Sequence, residues 1–440
     1  MSNYTLTDGL INGIGGTLGG GIFLLIGESI KDNKGNAYLA FVGGAIICMV
    51  VAFCYSILSK EYPGKGGTAE YPKKVFKDKR LQLLLTGLII FGYTSLFCVY
   101  SLSAGNYVGD YLEHPKIKKI IAVFIIGLCM LFSFMPPKMF KKMQTGFVAS
   151  KLMVLFGIIF GGIYRSYAPI AQTAQNIPLQ LSDTTEISRE IVETTKDITM
   201  VGCSVADKLK ALVSSLGIFV TYEGFEMNSI YSAGMKNPNI NIPLSYFLTI
   251  ITAAAVYIGL TVVTNKFIGT KINDKNSASA LIDLVKVLGF TSIGPVVVVL
   301  ANIIANVSAN IATVGSLESI TDEYIKDAEL EKSIFNKKIT MFNNSKSVAL
   351  LLTGILSMAA IMYGPESFVV NSGSLSFLLI FTMVCYMTYV TIEKKEKNKE
   401  EITILNKKMN YKMCKIISIL GMALCSSGFG KLTYDIANKP

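Results

Sequence analysis

The chain has 440 residues, 51% of them hydrophobic and 16% charged, against the roughly 25% charged residues of a soluble domain. Mean hydropathy is +0.49, and the apolar residues come in blocks of roughly twenty, about one bilayer crossing each; this argues for an integral membrane protein. The net charge of +11 does not indicate nucleic acid, because the lysines fall between the apolar blocks, where they set topology. With one histidine, His114, in a polar loop, neither histidine-based catalysis nor a His-ligated metal is expected, and no cofactor is implied. The eight cysteines are scattered without a C-x-x-C pair and read as small hydrophobes.

Eleven spans are predicted, at 8–30, 37–59, 81–110, 118–135, 142–164, 209–231, 243–268, 292–316, 346–363, 367–391 and 413–431. The segment before the first span holds no Lys or Arg, so no cleavable signal peptide is expected. Lys and Arg are denser at 60–80, 138–142, 326–346 and 394–415 than on the opposite side. The bias predicts a cytoplasmic N-terminus, and an odd span count then places the C-terminus outside.

The first span contains Gly13–Gly27, with seven glycines. Glycine is a poor helix former, and irregular backbone at membrane depth survives only where it is buried in protein or lines a polar cavity. The stretch is therefore read as a helix broken at Gly19, Gly20 and Gly21. Its free N–H groups and half-helix dipole suit an anionic group.

In the fifth span Lys151 is the only basic residue that lies deep inside an apolar block rather than at its ends. It lies ~14 Å along its helix, close to mid-membrane, where snorkelling to the interface is strained. A lysine out of water holds its proton less firmly, so a proton-linked role is expected. The sixth span carries Phe219, Thr221, Tyr222, Glu223, Gly224 and Glu226. A carboxylate at mid-span costs about 3 kcal/mol, so Glu223 is protonated, paired or facing a polar cavity, and Gly224 marks a second interruption. The bland alternative is a glycine that only permits close packing. Broken helices at the head of spans 1–5 and 6–10 fit inverted repeats with a binding site between them.

The eighth span offers Ser308, Asn310 and Thr313, either as oxygen ligands for a cation or as interhelical glue. Pro63–Gly67 lacks the spacing of a phosphate-binding loop and reads as a kink. Two outer segments stand out: the polar stretch 165–208, and Ser277–Gly289, whose apolar residues recur at helical spacing. The second reads either as a lid on the membrane surface or as a helix that only packs. The run Glu393–Glu401 reads as a solvated linker.

Three motifs together resemble those of the amino acid–polyamine–organocation (APC) superfamily of permeases. Gly13-Ile-Gly-Gly-Thr-Leu-Gly-Gly-Gly-Ile-Phe23 resembles its first-helix pattern. Phe219-x-x-Tyr222-Glu-Gly-Phe-Glu226, followed by Lys236-Asn-Pro238, resembles its sixth helix and the loop behind it. Tyr55-Ser-Ile-Leu58 with Pro63-x-x-Gly66-Gly67 and Tyr71 resembles its second-helix motif. The match runs in order over 8–391.

The resemblance implies an all-α membrane protein of the LeuT type, a five-plus-five inverted repeat with helices 1 and 6 broken. The repeats would be 8–164 and 209–391, separated by the outer loop 165–208. A cytoplasmic linker at 392–412 and an extra helix with its tail at 413–440 would complete one transporter domain, 1–440. It implies proton-coupled amino acid symport by alternating access rather than an enzyme. Gly19–Gly21 would hold the substrate carboxylate, and Phe219, Tyr222, Glu223 and Gly224 would line the amino-group and side-chain side. Lys151 matches the lysine of the proton-coupled members, whose ammonium stands in for a sodium ion.

The chain departs from the family pattern at Ile57, Ala233, Gly234 and Glu318, all on the expected cytoplasmic side. Those departures motivate a second expectation, a non-transporting receptor or partner subunit on the same fold. Glu223 motivates a third, an exchanger of cationic amino acids or polyamines. The partners expected are an amino acid, protons and the lipid bilayer.

Overall fold

The computed structural model describes residues 4–175, 204–273, 276–327 and 345–438. Helices occupy all eleven predicted stretches: α1 Leu6–Thr17 and α2 Gly20–Asn33 in the first, then α3 Ala37–Glu61, with a short α4 Glu70–Val75 in the following loop. There follow α5 Lys79–Tyr111, α6 Lys118–Ser133, α7 Pro137–Gln175, α8 Val205–Ile218, α9 Pro238–Ile268 and a short α10 Ala280–Val287. The chain continues through α11 Ile293–Asp327, α12 Ser345–Tyr363, α13 Glu366–Lys397 and α14 Tyr411–Ala437. Among the described residues, seven stretches are long and apolar enough to cross a bilayer. One of the seven, Gly20–Glu61, joins the second half of the first predicted span to the second; the sixth span falls outside the set because its helix stops at Ile218, and the fourth and ninth because their apolar helices, Lys118–Ser133 and Leu350–Tyr363, are shorter.

The first helix starts cleanly. The Thr5 side chain accepts the Asp8 N–H at 3.4 Å, and Asp8 accepts the Thr5 N–H at 2.8 Å, which satisfies two otherwise unpaired donors. Asp8 also pairs with Lys141 on α7. A strand-like bridge, Tyr4 N–H to Gly234 O and Lys236 N–H to Tyr4 O, each 2.8 Å, ties this N-terminal edge to the end of the sixth segment. The interruption is shorter than predicted. It spans Leu18 and Gly19, and Gly20 and Gly21 already belong to α2.

Around this centre α9 packs on α1 and α3, and α5 packs on α6, α11 and α13. One apolar cluster runs from Ile22 and Phe23 through Phe41, Tyr55, Phe219 and Tyr257 to Phe381. The outer faces of α7 and α14 leave Met153, Phe160, Ile416 and Ile419 exposed, as lipid-facing helices require.

Two predicted loops are more ordered than their composition implied. The helix of the fifth span continues to Gln175, so the loop 165–208 begins as helix, and its 176–203 portion lies outside the described residues. The run Glu393–Glu401 is largely exposed, as a solvated linker should be, but the chain docks immediately beyond it. Helix α13 continues to Lys397, and a two-stranded hairpin, β1 Thr403–Ile404 and β2 Lys407–Lys408, follows it. Ile402 and Ile404 are buried, Lys60 holds the Thr403 carbonyl and hydroxyl, and the Leu405 N–H reaches Asn239 O at 3.1 Å. Two apolar residues among the charges, Ile402 and Ile404, were the signal for this docking.

The segment Ser277–Gly289 forms the predicted amphipathic helix, with Leu281, Leu284 and Val285 buried. Its Ser277 carbonyl lies directly on Gly27, where a Cβ would overlap it, so the segment sits tightly over α2.

Candidate functional site

The two interruptions face each other at the centre of the molecule. Helix α1 ends when the Leu18 N–H turns back to Ile14 O at 3.1 Å. Gly19 then starts α2 with φ −98° and ψ −145°, and no side chain caps the new helix. Its first N–H groups have no intrahelical acceptor. In the sixth segment α8 stops at Ile218, a tight 3-10 turn covers Phe219–Tyr222, and Glu223 is extended. Gly224 lies in the left-handed region at φ +113°, and a second 3-10 stretch, Phe225–Gly234, follows. A φ of this kind is routine only for glycine.

The glycines let the two backbones touch. A Cβ on Gly16 would stand 3.2 Å from Gly224 Cα and O, and one on Gly224 would stand 2.5 Å from Thr17 N. Tyrosine hydroxyls then clasp the carbonyls left over at the breaks. Tyr100 on α5 donates to Gly16 O at 3.0 Å. The Tyr257 hydroxyl on α9 lies 2.7 Å from Thr17 O and 2.9 Å from Thr221 O, one from each interruption. Asn12 Nδ2 adds a bond to Met227 O at 3.2 Å.

Lys151 reaches this point from α7. Its Nζ donates to Gly15 O at 2.8 Å and Leu18 O at 2.9 Å, and lies 3.3 Å from Ser308 Oγ on α11. The side chain is fully buried, which excludes snorkelling. A cation at the last carbonyls of α1 is favoured by the helix dipole. The ammonium therefore closes the first half-helix and ties it to α11. Gln144, one turn-pair earlier on α7, donates to Ser308 O at 3.0 Å and reinforces the same junction.

A family model described as amino acid permease matches residues 9–434. The chain belongs to the amino acid permease family. Like its relatives in the APC superfamily, the permease is an all-α, multi-pass membrane transporter of the LeuT-like fold class and not an enzyme. It is 22% identical over 386 residues to the inner membrane transport protein YbaT of Escherichia coli, covering 86% of this chain and 80% of that protein. It is 25% identical over 246 residues to cationic amino acid transporter 1 of Arabidopsis thaliana, covering 56% of this chain and 39% of that protein.

The permease distributes the remaining candidate residues unevenly. Thr221 and Gly224 present main chain to the first break: Thr221 Cα lies 3.5 Å from where a Cβ on Gly21 would be. The Thr221 hydroxyl turns back to Ile218 O at 2.7 Å. Phe219 and Tyr222 point elsewhere. The Phe219 ring packs 6.1 Å from that of Phe381, and the Tyr222 hydroxyl donates to Phe41 O on α3 at 2.9 Å. Both anchor the second break to its surroundings. Glu223 and Glu226 are buried; Glu226 Oε2 accepts the Gly224 N–H at 2.7 Å, while Oε1 of each is unpaired among the described residues.

Ser308, Asn310 and Thr313 are not assembled into one cation cage. Ser308 meets Lys151, Asn310 Nδ2 donates to Ser101 Oγ at 2.9 Å, and Thr313 bonds back to Ala309 O at 2.9 Å. Ser308 and Asn310, two apart, lie on opposite sides of the helix, and Thr313, although on the same face as Asn310, spends its hydroxyl on its own helix's backbone.

Tyr100 and Tyr257 were not singled out by the sequence reading. The available signal was a tyrosine inside an apolar span, since its buried hydroxyl needs a partner. Tyr257→Phe removes the shared bridge between the breaks. It is expected to cost about 1 kcal/mol of stability and, if the same loss falls on the moving centre, to slow counterflow roughly fivefold. A melting curve and a vesicle counterflow assay on the same preparation check both figures.

Proposed function

We propose that this permease carries amino acids by proton-coupled alternating access, with the substrate held between the two interrupted helices. The N–H groups of Gly19, Gly20 and Gly21 at the uncapped start of α2 take the carboxylate, since such a helix end favours an anion. Main-chain oxygens around Thr221–Gly224 take the ammonium, and Glu223 stands beside them. Lys151 carries the coupling proton.

The observation that supports this reading best is the buried Lys151 ammonium, which joins Gly15 and Leu18 to Ser308 with no carboxylate among its hydrogen-bond partners in the described residues. Protonated, it holds α1 against α11. Once neutral, it loses the charge assistance of those bonds and frees the first helix to rock. The segments 8–164 and 209–391 act as the two repeats, the N-terminus is cytoplasmic and the C-terminus is outside. The unpaired Glu223 Oε1 favours one further reading, a preference for cationic amino acids or polyamines.

A thermal-shift screen of the purified protein separates these readings, because a ligand of the folded state raises its stability. The expected result is a rise with one or more amino acids. A rise confined to cationic amino acids or polyamines supports the exchanger reading, and no rise with any amino acid or polyamine contradicts both readings.

A further inference from the structure

One buried acceptor at the first break has no partner among the described residues. Asn306 on α11 is fully buried. Its Nδ2 lies 2.9 Å from Asn302 O, 3.1 Å from Asn302 Oδ1 and 3.3 Å from Ser103 Oγ on α5. An amide nitrogen has two protons, so this side of the group is fully committed. Flipping the carboxamide would set its oxygen against the Asn302 carbonyl, so the network fixes the orientation. Oδ1 is then left over: it has no hydrogen-bond partner among the described residues. It faces the first residue of α2, since a Cβ on Gly20 would stand 2.5 Å from Asn306 Oδ1 and 2.5 Å from Ser103 Cβ.

Leaving a buried acceptor empty is costly, whereas a site built around it rewards a ligand that supplies the missing donor. The uncapped N–H groups beside it suit a carboxylate, which has no donor to offer Oδ1. The donor must therefore come from another part of the same substrate. We propose that Asn306, positioned by Ser103 and Asn302, is a specificity-determining residue of this permease and selects amino acids with a short side chain ending in a hydrogen-bond donor. Serine and threonine fit this description; alanine and valine, their counterparts without the hydroxyl, do not. The inference rests on reading the two interruptions as the substrate site.

The test is competition of unlabelled threonine and valine, and of serine and alanine, against a labelled amino acid in proteoliposomes of the full-length protein. Threonine differs from valine by hydroxyl for methyl at nearly equal volume, so the ratio isolates the donor. In the wild type, threonine is expected to compete roughly tenfold to hundredfold better than valine. Asn306→Leu, close in shape but without an acceptor, is expected to bring the ratio near one while valine still competes. If that variant does not fold, Ser103→Ala loosens the carboxamide and is expected to compress the ratio. Equal competition by threonine and valine in the wild type overturns the inference and leaves the transport reading intact. A ratio unchanged in whichever variant folds also overturns it and returns Asn306 to interhelical glue. Binding of no amino acid at all overturns both.

Discussion

Lys151→Ala is expected to abolish proton-driven amino acid uptake, a loss of at least about a hundredfold in initial rate. The variant removes the ammonium that closes α1 at Gly15 and Leu18, leaving two buried carbonyls short of a donor at roughly 1–3 kcal/mol each. A companion variant separates coupling from collapse. Lys151→Arg keeps a positive charge but does not release a proton in a protein. It is expected to bind amino acid, as read by thermal shift, and to show no response of uptake to an imposed pH gradient. Alanine or arginine variants that keep wild-type, gradient-sensitive uptake would remove Lys151 from the mechanism.

Gly224→Ala is expected to be the most damaging single-methyl change at the site. The new Cβ would overlap the Gly16 carbonyl carbon, and φ +113° is a conformation that L side chains rarely adopt. Strain of this kind costs about 1–3 kcal/mol for the backbone alone, before the two breaks are pushed apart. Neither Gly16 nor Thr17 can yield as a flexible side chain would, because the contacts are main chain. The control is Gly217→Ala, seven residues earlier in α8, where a Cβ meets nothing within 4 Å. Alanine is the better helix former there by about 1 kcal/mol. Gly217→Ala is therefore expected to melt at or above the wild-type temperature with transport retained. Gly224→Ala is expected to melt several degrees lower and to transport nothing. Equal behaviour of the two variants would show that the contact between the breaks is dispensable.

How much of this was readable from the chain depends on whether the signal was local. Gly13–Gly27 announced a broken helix because glycines at that density oppose a membrane helix by themselves. Lys151 stood out because a single charge inside an apolar block is expensive wherever it points. The sequence could not say that Gly20 and Gly21 would already be helical. Nor could it show that Ser103 and Asn306 pack closely on Gly20, a contact between distant parts of the chain. Phe219 and Tyr222 carried the right motif, yet their side chains anchor the second break to α3 and α13; only the neighbouring main chain faces the first break. Ser308, Asn310 and Thr313 could be read as oxygen ligands or as interhelical glue, and only the fold shows them meeting different neighbours. Tyr100, Tyr257 and Asn306 were hidden because apolar spans with occasional polar residues are common, and only the fold reveals which of them meet an interruption.

A proton on Lys151 is proposed to be tied to amino acid movement through the paired breaks. This coupling is tested most directly by loading proteoliposomes with a pH-sensitive dye and applying an inward amino acid gradient without sodium. The account predicts that the lumen acidifies with the wild type as amino acid enters, and that Lys151→Arg gives no acidification above protein-free vesicles. Amino acid uptake that requires sodium and leaves the lumen pH unchanged would contradict it.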